Sequence, residues 1–91
     1  MIEIEVGYTA EFIRLYHKLT LDLQEEAKQA IALFRNKINH RQLRVHKLHG
    51  RYAGKLAFYI NYRYRIIFKY LDKHNKTVAL LQVGDHDIYK K

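Results

Sequence analysis

Six histidines stand among 91 residues, beside arginine, lysine and eight tyrosines. The chain has no serine, so a Ser-His-Asp hydrolase is excluded, and no cysteine, so a zinc–thiolate site is excluded too. No nucleophile elbow, P-loop or Rossmann fingerprint occurs. His46 and His49 are an i, i+3 pair, but on a strand and turn that spacing does not aim both at one ion, so no metal site is expected. His17, His40 and His74 are expected to be solvated and idle. His46 and His49 flank a turn leading into a sheet, and His86 follows the last strand. Imidazole, guanidinium, ammonium and phenol together suffice for one reaction, cleavage of RNA. The substrate's own 2′-hydroxyl is the nucleophile. A base takes its proton, a cation stabilises the phosphorane, and an acid protonates the departing 5′-oxygen. Histidine titrates in the right range, arginine fits phosphate through its planar fork, and tyrosine stacks on a base or donates a proton. His86, Arg65 and Tyr89 would fill these roles if the C-terminal segment folds back over the sheet. The residues alone leave a second reading open. His86 would pair with Asp85 or Asp87, Arg65 would be a surface strand residue, Tyr89 would pin the tail, and the domain would only bind.

The charge says what such a chain attracts. Lys and Arg number 17 against 9 acidic residues, for a net charge of +8. Residues 1–39 carry net −1 and residues 40–91 carry net +9, so the basic field belongs to the C-terminal half. That asymmetry favours a polyanion: nucleic acid, ribosome or an acidic protein segment.

The positioning elements follow from pattern. At 91 residues with 48% apolar side chains the chain is expected to form one domain, 1–91, held by core packing alone or by a partner. No apolar run suggests a membrane span. The N-terminus alternates apolar and acidic residues rather than reading as a signal peptide, so a cytoplasmic soluble protein is expected. Ile2, Ile4 and Val6 alternate with Glu3 and Glu5 as a half-buried strand over 1–8. Thr9 caps a short helix over about 9–18. Thr20 caps a second one, whose stripe of Leu23, Ala27, Ala30, Ile31, Phe34 and Ile38 runs to a stop at Asn39-His40. From Arg41 the period becomes two. Leu43 and Val45 mark one strand, Leu56, Phe58 and Ile60 a second, Tyr64, Ile66, Phe68 and Tyr70 a third. Residues 77–83 form the last, broken by Gly84. The order β-α-α-β-β-β-β implies an α+β fold: an N-terminal strand, a helical hairpin, then a four-stranded, mostly antiparallel sheet with the helices on one face. The other face is expected to be open, with Arg63 and Arg65 on it, Lys69 farther along and Ile67 interrupting the row, so that it is not uniformly polar.

These features together resemble a family. The element order, the segment His46-Lys47-Leu48-His49-Gly50-Arg51-Tyr52-Ala53-Gly54, the strand Tyr62-Arg63-Tyr64-Arg65-Ile66-Ile67-Phe68-Lys69 and the ending Gly84-Asp85-His86-Asp87-Ile88-Tyr89 look like the RelE/ParE superfamily of type II toxins. The RelE/StbE and YafQ-like branch is the most similar. The resemblance implies a toxin that cuts messenger RNA on the ribosome through the 2′-hydroxyl route, without metal or other cofactor. It also implies a cognate acidic antitoxin that wraps the basic surface in a hetero-oligomeric complex, and no membrane partner. Arg65 matches the arginine that contacts the scissile phosphate. His86 matches the C-terminal catalytic position, Tyr89 an aromatic that orients substrate, and His46 a histidine of YafQ-like toxins. Lys47, His49, Arg51, Arg63 and Lys69 would hold the RNA backbone.

The chain also departs from that pattern. Tyr59 stands where YafQ-like toxins carry a strand histidine and Arg63 where they carry an aspartate, while Leu56 and Phe58 replace two strand lysines of RelE. The second acid–base group is therefore left open among His46, Lys47, His49 and Arg51, and Asp87 is placed to orient His86. Two other functions share the fold: a ParE-like inhibitor of DNA gyrase acting by protein binding, and an inactive antitoxin-binding module. His86 together with Arg65 favours the nuclease.

Overall fold

The computed structural model describes residues 3–85. Strand β1 (Glu5–Tyr8) leads into helices α1 (Ala10–His17) and α2 (Leu21–Phe34). Four strands follow: β2 (His46–Lys47), β3 (Leu56–Tyr59), β4 (Tyr64–Tyr70) and β5 (Thr77–Asp85). Single 3-10 turns lie at Lys37–Asn39 and Gly50–Tyr52. The five strands make one sheet in the order β1-β5-β4-β3-β2. β1 pairs parallel with β5, and every other pairing is antiparallel. The expected α+β order is the observed one, with the N-terminal strand joining the sheet as its fifth member.

Both helix starts are capped as their sequences require. The Thr9 hydroxyl oxygen accepts from the Phe12 amide at 3.2 Å, and its own proton goes to the Leu80 carbonyl at 2.8 Å. One side chain thus starts α1 and ties it to β5. Thr20 accepts from the Leu23 amide at 3.2 Å. The end of α2 differs from expectation. The helix stops at Phe34, five residues short of Asn39. Asn39 Nδ2 donates to the Leu33 carbonyl at 2.9 Å and His40 Nε2 to the Phe34 carbonyl at 2.7 Å, satisfying carbonyls that a continued helix would have used. Ile38, expected in the apolar stripe, is 75% exposed.

The core lies between the helical hairpin and one face of the sheet. Phe12, Ala30, Ile31 and Phe34 meet Phe58, Ile66, Phe68, Val78, Leu80 and Val83. Phe34 stacks on Phe58 at 4.4 Å between ring centroids and on His40 at 4.7 Å, and Phe68 meets it edge-on. His40 is therefore a half-buried packing residue, not the idle solvated side chain its loop position suggested. Burial pushes its imidazole below the ordinary histidine range; the Lys37 charge acts in the same direction and the Phe34 carbonyl opposes both.

An irregularity in the β4–β5 pairing sets the chemistry of the second face. Ile67 pairs with Gln82, but Phe68 pairs with Leu80, leaving Leu81 as the extra residue of a bulge. Val78, Leu80 and Val83 all reach the core, a spacing that strict alternation forbids, and Gln82 is placed across from Ile67 on the opposite face. That opposite face is not the open cationic surface expected. Ala57 and Ile67 are fully buried on it and Arg65 is only 8% exposed. Half-buried Tyr52, from the 3-10 turn at Gly50–Tyr52, lines a shallow pocket with Ile67 and Gln82. Among the described residues no helix is long and apolar enough to cross a membrane.

Candidate active site

Strand pairing brings the chemistry together on this second face. Residues directly across from each other share a face, so pairing defines two rows. His46, Ala57, Ile67 and Gln82 form one; Tyr59, Arg65 and Gly84 form the next. The centre is Tyr59. The Arg65 guanidinium lies 3.5 Å from the centroid of its ring, the Arg44 guanidinium 5.6 Å away, and the His46 ring meets it nearly edge-on at 6.2 Å.

Each of these side chains is aimed by its backbone. The turn before β2 is anchored by buried Leu43, whose carbonyl accepts from the Tyr59 amide at 2.8 Å. Arg44 then takes a left-handed conformation, φ 56°. This is unfavourable for a residue with a Cβ and is found chiefly where surrounding structure enforces it. The consequence is local: the Arg44 carbonyl is 2.7 Å from His46 Nδ1. A carbonyl only accepts, so Nδ1 carries the proton. In the neutral ring Nε2 then keeps its lone pair, the arrangement a general base requires.

Arg65 is held from the β3–β4 turn. Its Nη1 donates to the carbonyls of Asn61 at 3.0 Å and Tyr64 at 3.2 Å. Asn61 builds that turn. Its Oδ1 accepts from the amides of Arg63 and Tyr64, both at 2.9 Å, and its Nδ2 donates to Glu26 of α2 at 3.2 Å. Burying a guanidinium is costly unless it is paired. The ion pairs present among the described residues are Glu11–Arg14, Glu25–Lys28 and Glu3–Arg35, all on the surface, and none involves Arg65. Two carbonyls and an aromatic face are its compensation. Such a cation, rigidly held and with no carboxylate paired to it among the described residues, suits an incoming phosphate.

The remaining expected residues are dispersed. Lys47 alternates to the other face of β2, paired with Leu56, whose side chain packs on the core. His49 and Arg51 are exposed in the segment between β2 and β3. Arg63 precedes β4 rather than lying on it; it is exposed in the turn, its guanidinium 6.0 Å from the Tyr64 ring centroid. Lys69 is exposed on the second face, across from Ala79, two rows beyond Arg65. His86 and Tyr89, with Asp87, lie outside the described residues. β5 continues through Gly84, expected to break it, to Asp85, and Gly84 is directly across from Arg65. Sequence reasoning had not given a role to Tyr59, Arg44 or Asn61. The usable signals were Tyr59 alternating with Phe58 opposite an arginine strand and an asparagine at a tight turn; Arg44 offered none.

The comparisons with known proteins bear on this arrangement. No curated protein sequence matches the chain. Among solved structures, it is similar to one in the RelBE2 toxin–antitoxin complex of Mycobacterium tuberculosis. The TM-score there is 0.75 and the identity 22%, over 94% of each chain. YafQ of Escherichia coli superposes with a TM-score of 0.68 at 18% identity, covering 98% of this chain and all of that one. A chain of the archaeal RelE–RelB complex of Pyrococcus horikoshii does so with 0.66 at 15% identity, covering 92% and 96%. These likenesses establish the fold. A family model described as the ParE-like toxin domain matches residues 21–91, which span α2, the whole Tyr59–Arg65 cluster and the C-terminal segment. The chain belongs to the ParE-like toxin family, within the RelE/ParE superfamily.

Proposed function

We propose that this chain is the toxin of a type II toxin–antitoxin system and that it cleaves messenger RNA on the ribosome. The observation that carries the reading is Arg65, a buried arginine that no carboxylate neutralises among the described residues, on the same sheet face as a histidine whose Nδ1 is engaged. In the proposed reaction the RNA 2′-oxygen attacks the adjacent phosphorus. The O2′–P bond forms, its proton passes to a base, the P–O5′ bond breaks, and an acid protonates the 5′-oxygen. The products are a 2′,3′-cyclic phosphate and a 5′-hydroxyl. Arg65 stabilises the charge of the phosphorane. His86 and His46 divide the acid and base roles. His86 is two residues past Gly84, which pairs with Arg65. Tyr89 is assigned to orient or stack on the substrate. Lys47, His49, Arg51, Arg63 and Lys69 contribute to RNA attraction through the basic field; their dispersed positions suit backbone contacts rather than chemistry.

The proposed partners are ribosome-bound mRNA and an acidic antitoxin that covers the basic half. One of the similar structures is described as a toxin–antitoxin complex and another as a RelE–RelB complex. The setting this implies is the cytoplasm. Primer extension on a reporter mRNA, with and without translating ribosomes, tests the activity. Ribosome-dependent cuts whose 5′ fragments end in a cyclic phosphate support it. Intact mRNA with demonstrably folded protein would overturn it in favour of a protein-binding toxin acting on gyrase, or an inactive antitoxin-binding module.

A further inference from the structure

A cleft of about 590 Å³ opens beside Arg65, between α2 and the β3–β4 turn. Arg44, Arg65 and Tyr59 form one side of it, the exposed ring of Tyr62 stands at its rim, and Gln29 of α2 with Gln42 supplies side-chain amides. None of these amides is needed for the fold: neither Gln29 nor Gln42 makes a side-chain hydrogen bond among the described residues, and both are exposed. The volume is in the range that takes a single nucleotide, not an extended helix or strand.

We infer that this cleft is a nucleoside subsite, which receives the base of a nucleotide next to the phosphate held by Arg65 and selects it. This rests on the reading of Arg65 as a phosphate ligand. Three features favour a nucleotide over a peptide. The cleft adjoins two guanidinium groups, which select for an anion at one end only. Tyr62 is 87% exposed, a free aromatic surface on which a base can stack. Gln29 and Gln42 each present a donor and an acceptor, the pair of groups that reads a base edge. Glu26 contributes a further acceptor, already sharing one oxygen with Asn61 Nδ2 at 3.2 Å. Stacking by Tyr62 supplies affinity without selectivity; the two amides supply the selectivity.

The experiment has two arms. In the first, each of the four nucleoside 3′-monophosphates, and inorganic phosphate alone, is titrated into the isotope-labelled protein by NMR. Shifts at Gln29, Gln42 and Tyr62 with a nucleotide, absent with phosphate, and at least about fivefold weaker binding in Tyr62→Ala are expected. Shifts that avoid the cleft, or equal responses to phosphate, overturn the subsite. In the second arm, cleavage positions are mapped across a long mRNA for the parent, Gln29→Ala and Gln42→Ala. A change of about fivefold or more in relative base preference next to the cut is expected from at least one variant. Unchanged preference in both variants, with cleavage intact, overturns the subsite and leaves the nuclease standing. No cleavage by the parent overturns the nuclease, and the titration then decides the subsite by itself. Protection of the cleft by an acidic peptide but by no nucleotide would assign it to a protein partner instead.

Discussion

Arg65 and Tyr59 face each other across the β3–β4 pairing, with the guanidinium carbon 3.5 Å from the ring centroid. Tyrosine occupies a strand position where the resemblance would place a histidine, and its ring does what an imidazole could not do while charged: it offers a negative face to a cation. The ring face compensates the buried guanidinium, which has no carboxylate partner among the described residues. Tyr59→Phe keeps the ring face and is expected to cleave within about threefold of the parent. Tyr59→Leu loses an interaction of about 1–2 kcal/mol at a desolvated site and should cleave about tenfold more slowly. Rates on ribosome-bound reporter mRNA check the contrast; equal rates for both variants would remove the ring from the account.

Asn61 links α2 to the site. Its side chain makes three hydrogen bonds, to Glu26, Arg63 and Tyr64, and its carbonyl holds Arg65. Asn61→Ala should lower stability by about 1–3 kcal/mol in urea unfolding and slow cleavage further than that loss explains. Asn61→Asp keeps the acceptor for both amides but turns a carboxylate toward Glu26, so it should recover only part of the stability.

Arg44 stores strain. At φ 56° a glycine is more comfortable than arginine. Arg44→Gly is expected to be neutral or to stabilise by up to about 1 kcal/mol, while weakening RNA binding through loss of a charge beside Tyr59. A thermal melt and an RNA-binding titration on the same variant separate the two effects. Lost stability would mean that the Arg44 side chain is structural.

The His40 stack gives stability a pH dependence. The folded state holds this imidazole below its ordinary range, chiefly by burial. Below about pH 6.5 the unfolded chain takes up a proton that the folded chain resists, so stability is present above that value and falls as pH falls. Melting temperatures measured from pH 8 to pH 5 should decline on the acid side, and the decline should be shallower in His40→Phe. An identical slope would place the dependence elsewhere.

The order of elements was legible because each is written in local pattern. Thr9 and Thr20 cap the helices they were expected to cap, and the alternation around Phe58, Ile66 and Phe68 marks the core face of β3 and β4. Errors arose where distant contacts decide. Leu43 and Val45 look like a strand, but burial of Leu43 and the left-handed Arg44 make a turn, and pairing starts only at His46. Gly84 looks like a break, yet pairing with Arg65 carries β5 through it. Arg65 looks like a surface cation because alternation gives a face and not its cover; Tyr59 and the carbonyls of the turn bury it. In the candidate site, His46 and Arg65 were readable as types on strands. Their meeting at Tyr59 depends on the β2–β3–β4 register, which no single segment encodes.

The most direct test of the central claim is the single-turnover cleavage rate on ribosome-programmed mRNA for the parent, Arg65→Lys and Arg65→Ala, with folding checked by circular dichroism. A charge that stabilises the phosphorane through a planar fork predicts a loss of about 10²–10³-fold for alanine, as for removal of one oxyanion donor, and incomplete rescue by lysine. Cleavage by folded Arg65→Ala at the parental rate would contradict the account.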